Sequence, residues 1–303
     1  TSFKTDLVEA MSKMFKNCSN LRSLDLSSFI TESVESFEDM FDGCHSLSTL
    51  SLDKFYSDKA KSTRNMFRNC HNIVRIDLSK FVGNDVVHMQ EMFENCTSLV
   101  NVNIENLTGK KANSINFMFY GCTRLTSINL PNFQTESIQS MNFLFTNCNS
   151  VRTINIPKMK TYQINFMMNL FTNCTSLESI DLSGFDTSMV LSYEEMFLNC
   201  GSLKKVDLRG WDTEEARTMI SMFEGCSSLT SLDLSHFNTA QVLVMQKMFK
   251  KCSSLESLDI SNFNTRLVSN MDEMFYSINK IKVLDLSSFY TFNIRNSKDI
   301  FGG

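Results

Sequence analysis

The amino-acid sequence predicts an α/β solenoid, and three observations lead to this fold class. The ten cysteines, from Cys18 to Cys252, follow one another at intervals of 26 residues. Each 26-residue unit contains an alternating segment typical of a strand and an apolar stripe at helical spacing. The chain is also rich in Phe (26) and Met (19) and holds only 2 Pro and 10 Gly, which favours a packed repeat array over a loop-rich fold.

The strand of each unit is predicted from an apolar triad with L-x-x-L-x-L spacing. In the first unit, Leu24 and Leu26 alternate with Ser23, Asp25 and Ser27, which is the period of a strand with one buried face. Eleven such triads can be identified along the chain. Stacking of successive units would place these strands side by side, so we expect a parallel sheet on the concave side.

The second half of each unit predicts a short helix. The apolar residues there fall at positions i, i+3, i+6, i+7 and i+10: Val34, Phe37, Met40, Phe41 and Cys44. Thr31 precedes the stripe, where its hydroxyl could cap the first turn. Asn or Gly stands before most of the cysteines, and these residues tolerate the left-handed backbone that ends a helix. We therefore expect short helices on the convex side.

One unit is too small to fold alone. About eight buried side chains at ~2 kcal/mol each cannot offset the ordering of 26 residues at ~1.5 kcal/mol each. The sequence thus predicts a single solenoid of about eleven units over residues 1–303. Because both ends of the chain fall inside a unit, we expect it to be a window on a longer protein.

The repeat M-F-x-[NG]-C-x-S-L-x-S-L-D-L-S-x-F carries a resemblance to a known family. It resembles the BspA-type leucine-rich repeat, specifically its DUF285 branch, which occurs in bacterial, mycoplasmal and protist surface proteins. The resemblance covers essentially all 303 residues. It implies a leucine-rich-repeat solenoid and a role in adhesion or in recognition of proteins and cell surfaces.

Composition and motifs argue against several function classes. A net charge of -4 does not suit nucleic acid binding, and no apolar run approaches the ~18 residues of a membrane span. With four His and no phosphate-binding Gly loop or nucleophile motif, we expect no catalytic residues, no cofactor and no metal.

The cysteines are predicted to be free and buried. Equivalent residues of successive units have parallel Cβ vectors, whereas a disulfide needs them to face each other. Disulfides and a metal site remain the alternatives. His45 and His71 each follow a Cys and should lie side by side, which we interpret as a surface pair rather than a metal site.

The exposed strand positions are the candidate ligand-binding residues. One column of the concave sheet carries amides in the middle of the chain and carboxylates later: Asn103, Asn129, Asn155, Asp181, Asp207 and Asp233. We expect solvation and the hydroxyls of Ser183, Ser235 and Ser261 to stabilise the carboxylates, and divalent-cation binding is the alternative. Pro131 and Pro157 follow two of the amides, and residues 99–173 carry six basic side chains, Lys158 among them, against two acidic ones.

The convex side offers a candidate interface in the same central units. Large apolar residues replace polar or small ones there: Phe117, Phe143, Phe166 and Met168. A contiguous apolar cluster on a surface usually marks an interaction site. The alternative is that these side chains fill gaps between splayed helices.

We interpret the chain as a non-catalytic interaction module that recognises proteins or cell-surface glycans, which implies an extracellular or cell-surface location. One alternative is a structural protein that self-assembles into a scaffold or filament, which would make it a homo-oligomer. Because the cysteines are predicted to be free thiols, a cytoplasmic protein-interaction scaffold is another alternative.

Overall fold

The structure is a computed structural model that describes residues 4–52, 54–156 and 160–303. Pro157 and Lys158, singled out in the sequence, lie outside the described residues. The chain divides into two compact units, Thr1–Met159 and Lys160–Gly303. Each unit is a parallel β-solenoid with leucine-rich-type repeats. The single solenoid over residues 1–303 stays a prediction, and each unit is described by itself.

Ten short strands form in the described residues, one per repeat. The first unit holds β1 (Ser23–Leu24), β2 (Thr49–Leu50), β3 (Arg75–Asp77), β4 (Asn101–Asn103), β5 (Ser127–Asn129) and β6 (Thr153–Asn155). The second unit holds β7 (Ser179–Asp181), β8 (Lys205–Asp207), β9 (Ser231–Asp233) and β10 (Ser257–Asp259). The middle residue of each three-residue strand faces inwards, as the alternation predicted.

Strand pairing follows the repeat. β1 pairs with β2, β3 with β4, β5 with β6, β7 with β8 and β9 with β10, all in parallel. Each residue stands opposite its equivalent in the neighbouring repeat, for example Ile128 opposite Ile154. The third strand residues therefore form a column on the outside, which we call the strand face.

The eleventh predicted unit forms no strand. Its triad of Ile281, Leu284 and Leu286 is only half buried, and Val283 beside it is 82% exposed. Because its apolar side chains are not fully buried, this segment does not pair with β10 as a further strand. The estimate of about eleven strand-bearing units was thus too high.

The predicted short helices are wrong: no helix forms in the described residues. The apolar stripe instead folds as two successive β-turns, in which Met40 N–H donates to Phe37 C=O (3.1 Å) and Cys44 N–H to Phe41 C=O (3.0 Å). The first and last residues of each four-residue turn are buried, so two turns in series reproduce the spacing that indicated a helix. We call this side of each unit the turn face.

The turns are held between repeats rather than within one. Phe41 N–H donates to Met66 C=O and Gly43 N–H to Arg68 C=O, both at 2.9 Å. Two positions per repeat have a positive φ, one of them the residue before the Cys, as with Asn95 at 57°. The left-handed backbone predicted for that column is therefore confirmed, although it belongs to a turn. Isolated parallel bridges, such as Ser36 to Ser62, run along the same side.

Aromatic rings form the centre of each unit. In the first unit, the rings of Phe15, Phe41, Phe67, Phe93, Phe119 and Phe145 stack at centroid distances of 5.4–5.8 Å. In the second unit, the rings of Phe171, Phe197, Phe223, Phe249, Phe275 and Phe301 stack at 5.4–5.9 Å. Nearly face-to-face rings of this size bury large apolar areas and fix the register of the repeats.

A column of buried hydroxyls satisfies backbone groups between repeats. Thr31 does not cap a helix; its Oγ1 donates to Tyr56 C=O (2.8 Å) and accepts from Tyr56 N–H (3.0 Å). Thr239 makes the same pair of bonds with Asn264. These threonines are almost fully buried, so their hydroxyls provide hydrogen bonds to backbone groups that water cannot reach.

Candidate functional site

The six predicted ligand-binding residues all lie on the strand face, as the third residue of their strands. Asn103, Asn129 and Asn155 belong to β4, β5 and β6 of the first unit. Asp181, Asp207 and Asp233 belong to β7, β8 and β9 of the second unit. All six are exposed or half-buried, so their side chains are available to a ligand. Whether they bind one stays a prediction.

The aspartates of this column also have a local structural role. Asp181 Oδ1 accepts from Ser183 N–H (2.9 Å) and Ser183 Oγ (2.7 Å), and these bonds lower the pKa of Asp181. Asp233 makes the same contacts with Ser235, which lower its pKa as well. Such a turn between a carboxylate and the N–H two residues later ends the strand. The hydroxyls of Ser183 and Ser235 thus serve these carboxylates as expected, whereas the turn closed by the backbone N–H was not predicted, although the D-x-S motif of the repeat signals it.

Two shallow depressions open on the strand face. One in the first unit has a volume of about 240 Å³ and is lined by polar groups of Asn101, Asn103, Glu105, Ser127 and Asn129. In this unit Asn155 Nδ2 donates to Asn129 Oδ1 at 2.7 Å. This part of the strand face, from β4 to β6, thus presents a largely uncharged hydrogen-bonding surface.

The depression of the second unit, about 320 Å³, carries charges of both signs. It is lined by Lys205, Asp207, Arg209, Asp233 and His236, among others. Arg209 holds both carboxylate oxygens of Asp207, with an Nη2–Oδ2 distance of 2.6 Å, and this pairing lowers the pKa of Asp207. Arg209 falls at a position that is Ser or Pro in most repeats.

The four predicted interface residues divide between the units. The rings of Phe117 and Phe143 stack at 4.7 Å on the turn face of the first unit, and Tyr120 meets Phe117 edge-on at 5.7 Å. Phe166 and Met168 lie on the turn face of the second unit, where Phe166 is 41% exposed and Met168 is half buried. The structure thus brings two of the four together and adds Tyr120, which sequence reasoning missed.

The backbone at these phenylalanines is unusual for an aromatic residue. Phe117 and Phe143 have φ values of 58° and 59°, in the left-handed region that bulky side chains disfavour. Other repeats place Asp39, Asn65 or Glu91 at this position. The aromatic side chains are therefore present despite the local backbone preference, which favours a role for the rings themselves.

The cysteines are free in the structure, as predicted, and nine of the ten are buried; Cys18 is exposed. Successive thiols donate to a Phe carbonyl of the preceding repeat, as Cys200 does to Phe171 C=O at 3.1 Å. Burial raises the pKa of Cys200 to about 12, so the thiol stays protonated and donates.

His45 and His71 stack at 4.7 Å on the surface, and His45 Nδ1 lies 3.0 Å from Asn69 C=O. In the part of the chain that the structure describes, no group of three or more His, Cys, Asp or Glu side chains could hold a metal ion. Nor does a helix long and apolar enough for a membrane span occur among these residues.

Comparison with known proteins identifies a family whose repeats match most of the chain. The family described as "Mycoplasma protein of unknown function, DUF285" matches residues 1–107, 113–231 and 200–303. A search of the curated proteins gave no match.

Among solved structures, a leucine-rich cell surface protein from Faecalibacterium prausnitzii shares 18% identity, with 98% of this chain and 78% of that chain covered and a TM-score of 0.48. A leucine-rich repeat protein from Eubacterium ventriosum shares 14% (96% and 78% covered, TM-score 0.45). One from Bacteroides ovatus shares 17% (95% and 86% covered, TM-score 0.35). Because the family match spans nearly the whole sequence, the resemblance of the repeat is confirmed: the chain belongs to the DUF285 family of BspA-type leucine-rich repeat proteins.

Proposed function

We propose that this chain is a non-catalytic interaction module that recognises a protein or glycan at a cell surface through its strand face. The observation that carries the proposal is the contrast within the repeat. Inward positions keep the same apolar character in every repeat, whereas the outward third strand residue changes from amide in β4–β6 to carboxylate in β7–β10. Exposed positions that the core does not constrain are free to match a ligand.

The cell-surface location is part of the proposal and follows from the family, because BspA-type repeats of the DUF285 branch occur in surface proteins. A net charge of -4 favours a protein or glycan partner over nucleic acid. We also propose that both units continue one solenoid over residues 1–303. The uninterrupted 26-residue step from Cys148 to Cys174 across the boundary supports this.

The test is binding of the fluorescently labelled chain to intact eukaryotic cells, before and after treatment with protease or glycosidase. One variant replaces all six column residues, Asn103 to Asp233, with Ser, the residue that Ser51 supplies naturally in this column. We expect saturable binding that weakens at least about tenfold in this variant, because several interface hydrogen bonds are lost.

The matched control carries Gln163→Ser and Glu214→Ser, which change exposed residues away from the strand face. Binding by the control should equal that of the unmodified chain. Absence of saturable binding to cells, or equal binding by the six-residue variant, would show that the proposal is wrong.

Self-assembly is the second candidate function, and the aromatic cluster of Phe117, Tyr120 and Phe143 favours it. Half-buried aromatic residues held in a disfavoured backbone conformation would gain from contact with a second copy of the chain. This candidate would make the array a structural component without a soluble ligand.

A further inference from the structure

Most repeats use the residue of this column, which is the third strand residue or its equivalent, to close their own turn. Asp25 Oδ1 accepts from Ser27 N–H at 2.8 Å, and Asp259 Oδ1 accepts from Ser261 N–H at 3.0 Å. Asn103 makes the equivalent bond with Glu105 N–H at 3.3 Å. In these repeats the acceptor oxygen of the column is already engaged by the chain itself.

Proline removes this local partner from Asn129. Pro131 stands where six of the other repeats have Ser, and proline has no backbone N–H to donate. Asn129 Oδ1 accepts instead from Asn155 Nδ2 of the next repeat. In the sequence, Asn155 is likewise followed two positions later by a proline, Pro157.

Two polar groups are left facing solvent by this exchange. Within the described residues, Asn129 Nδ2 and Asn155 Oδ1 have no hydrogen-bond partner, and both side chains are exposed. The paired amides thus offer a donor and an acceptor side by side. In β9 the equivalent carboxylate is held by Ser235 and offers no donor.

The outward residues of the three strands that carry these amides are uncharged, and charged residues begin in the neighbouring strand β3, where Arg75 stands opposite Asn101 and Asp77 opposite Asn103. The outward residues of β4, β5 and β6, which we call the amide patch, are all amides or hydroxyls: Asn101, Asn103, Ser127, Asn129, Thr153 and Asn155. Glu105 is the one charged residue that lines the adjoining depression of about 240 Å³.

We infer that the amide patch binds a neutral glycan. Each amide both donates and accepts, as each sugar hydroxyl does, and neighbouring strands repeat this pair about every 4.8 Å. The depression contains no aromatic or Arg side chain, which are the residues that anchor most protein partners. The absence of Lys, Arg and His from its lining also argues against an acidic ligand. This inference rests on the proposed recognition function and names its ligand class.

The test follows the side-chain NH₂ signals of Asn103, Asn129 and Asn155 by NMR while cellotriose, maltotriose or chitotriose is added. We expect these signals to shift with at least one of the neutral sugars, and less with sialyllactose, which is acidic. Shifts caused only by an uncharged extended peptide, or by sialyllactose, would overturn the glycan class. No shift with any sugar would overturn the inference altogether.

The sharpest variant is Pro131→Ser, which restores the N–H that captures Asn129 Oδ1 in its own turn. We expect it to weaken sugar binding about fivefold to tenfold, because it withdraws Asn129 from the patch. Asn129→Ala should weaken binding similarly and serves if Pro131→Ser does not fold. The control is Glu214→Ser in the second unit, which changes an exposed residue away from the strand face and should leave sugar binding unchanged. Unaltered binding by both patch variants would contradict the inference.

The two proposals fail separately. Cell binding that neither Pro131→Ser nor added sugar reduces would leave the recognition function in place and overturn the amide patch. Sugar-induced shifts in a chain that binds no cells would support the patch and contradict the cell-surface function.

Discussion

Charged residues one repeat apart hold each other along the turn face of the first unit. Lys16 Nζ lies 3.1 Å from Asp42 Oδ2, and Arg68 Nη2 lies 2.9 Å from the same oxygen. Arg68 Nη1 also contacts Glu91 Oε2 at 2.9 Å. Burial is the largest single influence on Asp42 and acts to raise its pKa. The hydrogen bonds and charges of Arg68 and Lys16 together outweigh burial, so the pKa of Asp42 is lowered.

Lys16, Asp42, Arg68 and Glu94 occupy equivalent positions in four successive repeats. The pKa of Glu94 is raised, whereas that of Asp42 is lowered. Burial, with the nearby carboxylate of Glu91, raises the pKa of Glu94 to about 7 from its ordinary value of 4.5. No basic residue follows it, because the next repeat has Tyr120 at this position. A single change of neighbour thus decides whether a carboxyl is charged at neutral pH.

We predict that Glu94 makes the free energy of unfolding fall between about pH 4.5 and about pH 7. In that range the unfolded carboxyl has released its proton while the folded one keeps it, so the folded state binds more protons and loses stability as pH rises. Because Glu94 is only partly buried, we expect the free energy of unfolding to fall by about 1–2 kcal/mol over this range.

Urea unfolding of the unmodified chain and of Glu94→Gln, at about pH 4.5 and about pH 8, measures this effect. The pH-dependent loss should shrink in Glu94→Gln and persist in the control Glu32→Gln, which changes an exposed carboxyl. Equal pH dependence in all three proteins would contradict the prediction.

At the scale of the structural element, the repeated β-turn sets the conformational demands. Gly225 has a φ of +76°, and a Cβ there would lie 2.7 Å from Asn199 Oδ1 and 3.2 Å from Asn199 Cα. Gly201 has an ordinary backbone, and a Cβ there would meet nothing closer than Ser227 Oγ at 3.6 Å. The two glycines therefore differ in what they contribute, although both lie beside a cysteine turn.

We predict that Gly225→Ala lowers the free energy of unfolding by at least about 1–2 kcal/mol, the cost of a left-handed residue with a Cβ. The crowding against Asn199 adds to this loss. Gly201→Ala should be neutral or stabilise by up to about 1 kcal/mol, because it restricts only the unfolded chain. Denaturant titration of both variants measures these free energies of unfolding. Similar losses of stability in the two variants would refute the role assigned to the turn.

At the scale of the whole molecule, the turn face of the first unit bears on association between chains. The aromatic cluster on the turn face of the first unit is the structural feature that favours association. Burial of one such ring between chains contributes about 1.5–3 kcal/mol, so a few can dominate an interface.

We predict that Phe117→Asn with Phe143→Asn abolishes self-association and leaves the melting temperature unchanged or higher. Asn tolerates the left-handed backbone and already occupies this column as Asn65 and Asn169. Sedimentation velocity and thermal melting measure the two effects, with Ser221→Asn in the same column as the control. A lower melting temperature with unchanged sedimentation would mean that the rings belong to the core.

The sequence by itself determined the repeat architecture. The cysteine column and the L-x-x-L-x-L triads gave the 26-residue step, the parallel strands and their inward residues, because alternation and periodic burial depend only on which residues are apolar. The free thiols followed in the same way, since parallel Cβ vectors disfavour disulfides between successive units. Asn or Gly before Cys also identified the left-handed position.

Only the tertiary structure decided between helix and turns. Apolar residues at i, i+3, i+6 and i+7 suit both an α-helix and two β-turns in series, and what separates them is the destination of the backbone hydrogen bonds. Here N–H groups such as that of Phe41 bond to the next repeat, a partner 25 residues away that no local pattern contains. For the same reason the sequence placed Asn129 on the strand face, but only the contact with Asn155 showed that Pro131 had released it.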